Sequence, residues 1–355
     1  MKKRILLTVL LLSVTLACQI GTPHPTIPTP SAIPTPRVAT YASLPTQGDL
    51  GASTAKPPAI TSPSAQLPST PKPVSPLGGA IDSCAVFPAD NAWNRDISQD
   101  PLDSSSSNYI DFIMKSAQHL HADFGSNLEW GFPYVVVPAN QAMVPITFTA
   151  YGDESDPGPY PVPLNAAVEG GSDNHVLVIR IGECKLYELY HAVQRGAGWD
   201  ADSGAVFDLN SNALRPEGWT SSDAAGLPIF PGLVRFNEVS AGEIKHALRF
   251  TVQTSQRAYI HPATHYASSV TDPNAPPMGL RLRLKADYDA SWITGQARVV
   301  AEALKKYGMI VADNGSSWFI SGARDARWNN EDLDQLKKVP GTAFEVVKSG
   351  ELVKP

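Results

Sequence analysis

The sequence predicts a mainly β domain of the antiparallel β-sandwich or jelly-roll type, with about three short helices. Short runs rich in Val, Ile, Leu, Phe and Tyr recur between clusters of Gly, Pro, Asn and Asp. Only three segments show the helical spacing of apolar residues. Many strands with few helices between them are typical of sandwiches and jelly rolls and differ from alternating βαβ units.

Eight segments are predicted as strands, because each is a short run of β-branched, aromatic and large apolar residues. They are residues 134–138, 144–148, 175–181, 185–191, 205–209, 247–253, 258–261 and 280–285. Residues 181–184 favour a tight hairpin connection between two of them. The last segment alternates leucine with Arg281, Arg283 and Lys285, so we expect one apolar and one cationic face.

Three segments are predicted as helices from apolar residues at helical spacing. The first spans residues 107–120, with Ser107 as its N-cap. The second spans 296–307 and is followed by Gly308, which suits the C′ position. The third begins at residue 331 and ends before Pro340, which cannot continue a helix.

The first residues of the chain resemble a bacterial lipoprotein signal peptide covering residues 1–17. Lys2, Lys3 and Arg4 precede an apolar run that is shorter than the ~20 residues of a membrane-spanning helix. The run ends at Cys18, so we expect lipid on Cys18 and a lipid-anchored location on the extracytoplasmic side of a bacterial membrane. An ordinary secretory signal that happens to contain a cysteine is the alternative.

Residues 18–79 are rich in Pro, Thr and Ser and contain 14 of the 32 prolines. Such a composition has too little apolar surface to offset chain entropy, which predicts a disordered tether. A proline-rich ligand for another protein is the alternative. Residues 80–355 are then expected to form one β-rich globular domain.

Net charge and cysteine content limit the expected partners and the expected cellular compartment. The net charge is −6 and the basic residues are scattered, which excludes nucleic acid as an expected partner. With Cys18 assigned to lipid, Cys84 and Cys184 remain, and we expect them to form a disulfide outside the cytoplasm. Two separate buried thiols are the alternative. The sequence predicts no metal or cofactor, and the oligomeric state is left open.

Candidate catalytic residues come from polar and aromatic side chains within strand-like segments. Glycoside hydrolysis usually uses two carboxyl groups about 5 to 10 Å apart, for which Glu188 and Asp208 are the first pair. A carboxyl at position 188 that is flanked by apolar groups would hold its proton more tightly, as a general acid must. A structural pairing of that carboxylate with Arg249 is the alternative.

Polysaccharide elimination would need a base and a group that holds a carboxylate. His246, His265 and Tyr266 are the candidate bases, and Arg249 is the candidate cation. The long polar segment after residue 207 favours a binding or Ω-type loop. The further substrate-binding candidates are Arg215, Trp219, Tyr190 and His191.

Three stretches, residues 204–236, 259–279 and 305–318, resemble a family of secreted or surface-attached bacterial proteins to which no activity is assigned. The resemblance covers essentially the whole globular part. It implies one family-wide domain and an extracellular setting, and it supplies no activity. In the last stretch, Asp313-Asn314-Gly315 favours a turn between strands, with a site role for Asp313 secondary.

The sequence therefore predicts a tethered extracytoplasmic protein that acts on extracellular or cell-wall glycan. Glycoside hydrolysis is the first expectation and polysaccharide elimination the second. A non-catalytic carbohydrate-binding or cell-surface interaction module is the rival from another class. Convergence of Glu188 and Asp208 in one cleft beside Trp219 would favour the enzyme, and a flat aromatic platform without paired carboxylates would favour binding. Placement of the two carboxylates on opposite sides of the core would contradict a glycosidase built on this pair.

Overall fold

The computed structural model describes residues 80–355. The expected signal peptide, Cys18 and the tether lie outside the described residues. Among residues 80–355, no helix is both long enough and apolar enough to cross a bilayer.

Strands dominate the described part of the chain, which confirms the sheet-rich prediction. The fifteen strands are β1 (Ala80–Ile81), β2 (Cys84–Ala85), β3 (His121–Asp123), β4 (Tyr134–Val137), β5 (Ile146–Phe148), β6 (Val176–Arg180), β7 (Lys185–Tyr190), β8 (Val193–Arg195), β9 (Gly198–Ala201), β10 (Ser203–Asp208), β11 (Leu248–Val252), β12 (Arg281–Leu284), β13 (Met309–Asn314), β14 (Phe319–Ser321) and β15 (Phe344–Val346).

Two larger sheets carry most of these strands, and both are mixed. The first has four strands in the order β10-β7-β6-β4, and the second has six in the order β15-β12-β13-β11-β14-β3. β4 pairs with β6 in parallel, as do β11 with β13 and β14 with β3. The purely antiparallel pairing expected from the sequence is therefore wrong. Single-strand patterns do not report the direction of a partner distant in sequence.

Within residues 80–355, four α-helices accompany the sheets: α1 (Ser106–Met114), α2 (Phe236–Ala241), α3 (Gly295–Lys306) and α4 (Asn330–Asp334). α3 matches its prediction, and Gly308 follows it with a φ of +67°. α1 is shorter than predicted, and α4 begins one residue early because Asn329 caps it through its side chain. The sequence did not predict α2.

Most predicted strands are present, with their ends shifted by a few residues. Residues 258–261 are the exception, because Tyr259 makes only isolated bridges, with Met278 and Val353. The predicted hairpin at 181–184 joins β6 to β7, whose last pair is Arg180 with Lys185.

β12 corrects the expectation of a solvent-facing row of cations. Arg281 and Arg283 are only 5% and 8% exposed. Arg281 donates to the Tyr307 carbonyl at 2.7 Å, and Arg283 donates to the Glu345 carboxylate at 2.7 Å. Burial is tolerated because the guanidinium groups find hydrogen-bond acceptors inside the fold.

The predicted disulfide is present. Cys84 and Cys184 are bonded, with an S–S distance of 2.08 Å and a Cα–Cα distance of 5.4 Å. It joins the start of the described chain to the β6–β7 hairpin across 100 residues. In the chain-entropy description, closing a loop of this length stabilises the fold by about 4.7 kcal/mol.

Candidate functional site

A cleft of about 290 Å³ lies where the ends of the two larger sheets meet. Tyr190 and Ser203 reach it from β7 and β10, and Asp313 reaches it from β13. A loop supplies one wall. The complete lining is Tyr151, Asp173, Tyr190, Ser203, Thr220, Ser221, Ser222, Asp223, Ala224, His265, Ala267, Asp313 and Asn314. This volume lies at the lower end of the range for small-molecule sites, about 300 to 1,000 Å³.

A second, larger groove of about 470 Å³ runs beside α3. Its charged side chains are largely exposed to solvent. The Lys306 Nζ lies 3.9 Å from the Glu243 carboxylate, which is a long distance for an ion pair. Exposed pairs of this kind contribute little energy and perturb nearby groups weakly. The smaller cleft is the candidate site, since it lies over the buried charges of Arg249 and Asp223.

Arg249, on β11, holds two carboxylates beneath the cleft. Its Nε and Nη2 donate to Asp223 at 2.7 and 2.8 Å, and Nη2 also donates to Asp313 at 3.1 Å. Its Nη1 donates to Ser321 Oγ at 2.6 Å. The side chains of Arg249 and Asp223 are 4% and 0% exposed. Burial without these bonds would be costly, so the guanidinium and the Asp223 carboxylate depend on each other.

A β-bulge brings Asp313 onto the same face as Arg249. Arg249 is opposite Ile310, and regular alternation would place residue 313 on the other face. The register between β11 and β13 shifts after Phe250, so that Thr251 is opposite Asp313. The extra residue in β13 re-aims the Asp313 side chain toward Arg249, as bulges commonly do beside functional sites.

Asp313 is the carboxyl of this buried cluster that solvent can reach, since a quarter of its side chain is exposed. Burial raises the pKa of Asp313, and the neighbouring Asp223 carboxylate raises it further. Arg249 opposes both effects, and the resulting pKa is about 7. One arginine shared by two carboxylates therefore leaves Asp313 able to carry a proton near neutral pH.

His175 links this cluster to the cleft wall. Its Nε2 donates to the Ser222 carbonyl at 2.9 Å, and its Nδ1 bonds to the Glu169 carboxylate. Burial disfavours the charged imidazole, but the bond to Glu169 outweighs burial and raises the pKa of His175. The Ser222 backbone is thereby held by a hydrogen-bonded His175–Glu169 pair.

The wall formed by residues 219–226 is fixed by side-chain hydrogen bonds. Ser221 Oγ donates to the Leu227 carbonyl at 2.6 Å and accepts from the Asp223 amide at 2.9 Å. Ser203 Oγ donates to the Ser221 carbonyl at 2.8 Å, and Arg215 Nε donates to the Thr220 carbonyl at 2.7 Å. A wall held in this way is organised before any ligand binds.

Two buried polar atoms of cleft-lining residues have no hydrogen-bond partner within the described residues. They are Ser222 Oγ and Asn314 Oδ1. Asn314 Nδ2 donates to the Ala267 carbonyl at 2.7 Å, which leaves its Oδ1 as a spare acceptor. Unsatisfied buried polar atoms are rare in folded proteins, and at a cleft they indicate a place for ligand or water.

His265 lines the same cleft in a defined tautomer. Its Nδ1 is 2.8 Å from the Ala224 carbonyl, which only accepts, so Nδ1 carries the proton. In the neutral ring, Nε2 is then the basic nitrogen. Tyr266 stacks on His265 with an interplanar angle of 13°. The predicted residues His265, Tyr190, Arg249 and Tyr266 thus lie in or directly behind the cleft.

Glu188 and Asp208, the predicted carboxylate pair, are not brought together. Glu188 is opposite Ala205, and Asp208 is opposite Lys185, so the two carboxylates lie on opposite faces of the sheet. Glu188 is fully buried and accepts the amides of Ile229 and Phe230. Burial raises the pKa of Glu188 to about 7 even though these amides oppose the rise. Asp208 is exposed.

The other predicted residues are placed apart from the cleft lining. His246 is buried and bonds to Glu238 at 3.2 Å. Arg215 is buried against Asp156 at 2.5 Å, and Trp219 lies beside its guanidinium. His191 is half-exposed and pairs with Asp202 at 2.9 Å. Arg215 supports the cleft wall, whereas His246 and His191 have structural partners elsewhere.

Sequence reasoning missed Asp223, His175 and Glu169, and gave Asp313 a secondary role. Only the density of Ser, Thr and Asp at 220–223 marked the wall as unusual. Within the described residues, no group of three or more His, Cys, Asp or Glu side chains is arranged to hold a metal ion.

Comparisons with protein-family models, with curated proteins and with solved structures found no match to this chain. We therefore infer the function from the geometry of the cleft.

Proposed function

We propose that the protein is an extracytoplasmic enzyme that hydrolyses glycan by general acid–base catalysis in this cleft. The observation that carries the proposal is the Asp313 carboxyl, which faces the cleft and has a pKa raised to about 7 by burial and by Asp223. A general acid with such a pKa keeps its proton below about pH 7 and can donate it there.

Asp313 and His265 have complementary roles in this proposal. Asp313 donates its proton to the glycosidic oxygen as the bond from that oxygen to the anomeric carbon breaks. Water attacks the same carbon, and His265 Nε2 takes the proton that the water loses. The products are two shorter sugars, and one proton is returned from His265 to Asp313 through solvent. Inverting glycosidases use a general acid and a separate general base, and both are usually carboxyl groups. Here His265 takes the role of the second carboxylate.

Elimination is less well supported than hydrolysis. A lyase needs a cation that holds the uronate carboxylate, and Arg249 was the candidate. All of its described hydrogen bonds go to Asp223, Asp313 and Ser321, and its side chain is only 4% exposed. Among the described lining residues there is neither lysine nor arginine.

The test is a reducing-end assay of the full-length chain against a polysaccharide panel, with Asp313→Asn and Asp208→Asn as a matched pair. We expect D313N to lower the rate by about 100-fold or more, the usual contribution of a general acid. D208N, which removes an exposed carboxylate outside the cleft, should retain wild-type activity. The wild-type rate should fall as the pH rises above 7, because Asp313 loses its proton.

The rival function is a non-catalytic carbohydrate-binding module. Tyr151 and Tyr190 line the cleft and would stack on a sugar ring in either function. Retention of the protein on one polymer without any release of reducing ends would contradict hydrolysis and support the binding module. Equal activities of D313N and wild type would remove Asp313 from the mechanism.

We also propose the location and the finer architecture expected from the sequence. Lipid on Cys18 would place the domain on the outer side of a bacterial membrane, and loss of fatty-acid labelling in Cys18→Ala is the test. A sandwich-like packing of the two larger sheets is supported by one hydrophobic cluster that includes Ile179 and Phe207 together with Phe250 and Ile310. The described strand directions make any such sandwich mixed.

A further inference from the structure

The described residues that line the cleft include carboxyl groups but no lysine or arginine. The carboxyl groups are those of Asp173, Asp223 and Asp313. Arg249 lies behind the cleft and donates its hydrogen bonds to Asp223, Asp313 and Ser321. An anionic sugar would meet repulsion in this cleft, and a cationic one would meet attraction.

The carboxylate at position 173 is the lining carboxylate that is most open to solvent. Asp173 is exposed, and its only described side-chain hydrogen bond comes from the Ser172 hydroxyl at 3.1 Å. Asp223, by contrast, is neutralised by two bonds from Arg249. Asp173 therefore supplies an uncompensated negative charge at the rim of the cleft.

Two polar atoms of cleft-lining residues that lack a hydrogen-bond partner within the described residues also favour a cationic ligand. Asn314 Oδ1 is an acceptor without a donor, and Ser222 Oγ is buried without a partner in a residue that is 5% exposed. An ammonium group has three donors and no acceptor, so it complements a site made of carboxylate, amide and hydroxyl oxygens. The buried Ser222 hydroxyl indicates a polar ligand independently of the acidic residues.

We infer that the cleft binds a glycan containing amino sugars whose amine is free, with the ammonium group held by Asp173 and Asn314. This inference rests on the proposed function and names its substrate class. The charged amine is bound at the acidic rim, while Asp313 and His265 act on the adjacent glycosidic bond. N-acetylation removes the positive charge and replaces it with an acetyl group.

The test compares two glucosamine tetramers that differ only in N-acetylation, titrated into the full-length chain by calorimetry at pH 6 and low salt. We expect the free-amine tetramer to bind about tenfold more tightly, and added salt to reduce the difference. Asp173→Asn should remove most of that preference, and Asp173→Glu should keep it. Asp208→Asn, which removes an exposed carboxylate outside the cleft, should leave both affinities unchanged.

Equal or tighter binding of the acetylated tetramer would overturn the inference, and so would the absence of binding to either tetramer. A loss of preference in D208N as large as in D173N would also overturn it, because the effect would then be one of overall charge. Cleavage is measured in parallel. Binding of the free-amine tetramer without cleavage supports the inference and contradicts hydrolysis, whereas cleavage of acetylated or neutral glycan alone supports hydrolysis and contradicts the inference.

Discussion

Two buried clusters in the described part of the chain combine arginine and carboxylates with opposite charge balance. In one, Arg249 is shared by Asp223 and Asp313. In the other, Glu238 is shared by Arg235 at 2.7 Å and His246 at 3.2 Å. The first lies behind the cleft, and the second is closed from it.

The two clusters move a carboxyl pKa in opposite directions. Burial opposes ionisation of Glu238, but Arg235 and His246 outweigh burial and lower its pKa to about 2. Burial and Asp223 raise the pKa of Asp313 to about 7. The ratio of cations to carboxylates therefore decides which cluster holds a proton near neutral pH. Only the cluster with too few cations faces the cleft.

Removing the arginine of each cluster should produce the largest difference between the two clusters, measured as a loss of stability. Arg249→Met leaves Asp223 buried without a counter-charge, so we expect a loss of about 3–5 kcal/mol in the free energy of unfolding. Arg235→Met should cost less, about 1–3 kcal/mol, because His246 still pairs with Glu238. Urea unfolding at pH 7 measures both. Arg249→Lys keeps the charge without the two-pronged geometry and should be intermediate; a larger loss in Arg235→Met would contradict the account.

Activity should distinguish the two histidines by about two orders of magnitude. His265→Gln removes the proposed base at the cleft, and we expect a fall of about 100-fold in the rate of glycan cleavage. His246→Gln alters the closed cluster and should leave the rate within about twofold of wild type. The reducing-end assay compares them under one set of conditions. A similar loss in both variants would mean that His265 contributes through folding alone.

The pH dependence of stability should have opposite signs in the two clusters. A raised pKa means that the folded state keeps a proton the unfolded chain has released, so Asp313 makes stability fall as pH rises from about 4 to 7. Glu238, with its lowered pKa, makes stability fall as pH drops from about 4.5 toward 2. One proton corresponds to a slope of about 1.4 kcal/mol per pH unit.

Asp313→Asn should therefore flatten the stability profile between pH 5 and 7, whereas Glu238→Gln should flatten it only at acid pH. Glu188 also has a pKa raised to about 7 and contributes a slope of the same sign. Glu188→Gln is the control that separates its share from that of Asp313. An unchanged slope between pH 5 and 7 in D313N would contradict the assigned titration.

The sequence was sufficient where the deciding interactions are local. The apolar stripe of α3, the hairpin at 181–184 and the alternation of β12 were visible as patterns, and cysteine parity with an exported setting predicted the disulfide. The alternation of β12 also led to a wrong prediction, because it indicated a cationic face exposed to solvent. Arg281 and Arg283 are buried because acceptors distant in sequence surround them.

The site was less predictable because it depends on pairings between distant segments. Arg249 and Asp313 are separated by 64 residues and meet through a parallel pair that contains a bulge. Neither parallel register nor a bulge leaves a single-sequence signature, so counting alternate positions would have placed Asp313 on the wrong face. Burial raises the pKa of Glu188, but the same burial removes its carboxyl from the cleft.

The most direct test of this account is the pKa of the Asp313 carboxyl, measured by carbon-detected NMR titration of selectively labelled protein. The account predicts a pKa near 7 in the wild type and a lower value in Asp223→Asn, since Arg249 then serves one carboxylate. A wild-type pKa at or below about 4, the usual value for aspartate, would contradict the proposal that Asp313 is the proton donor of the cleft.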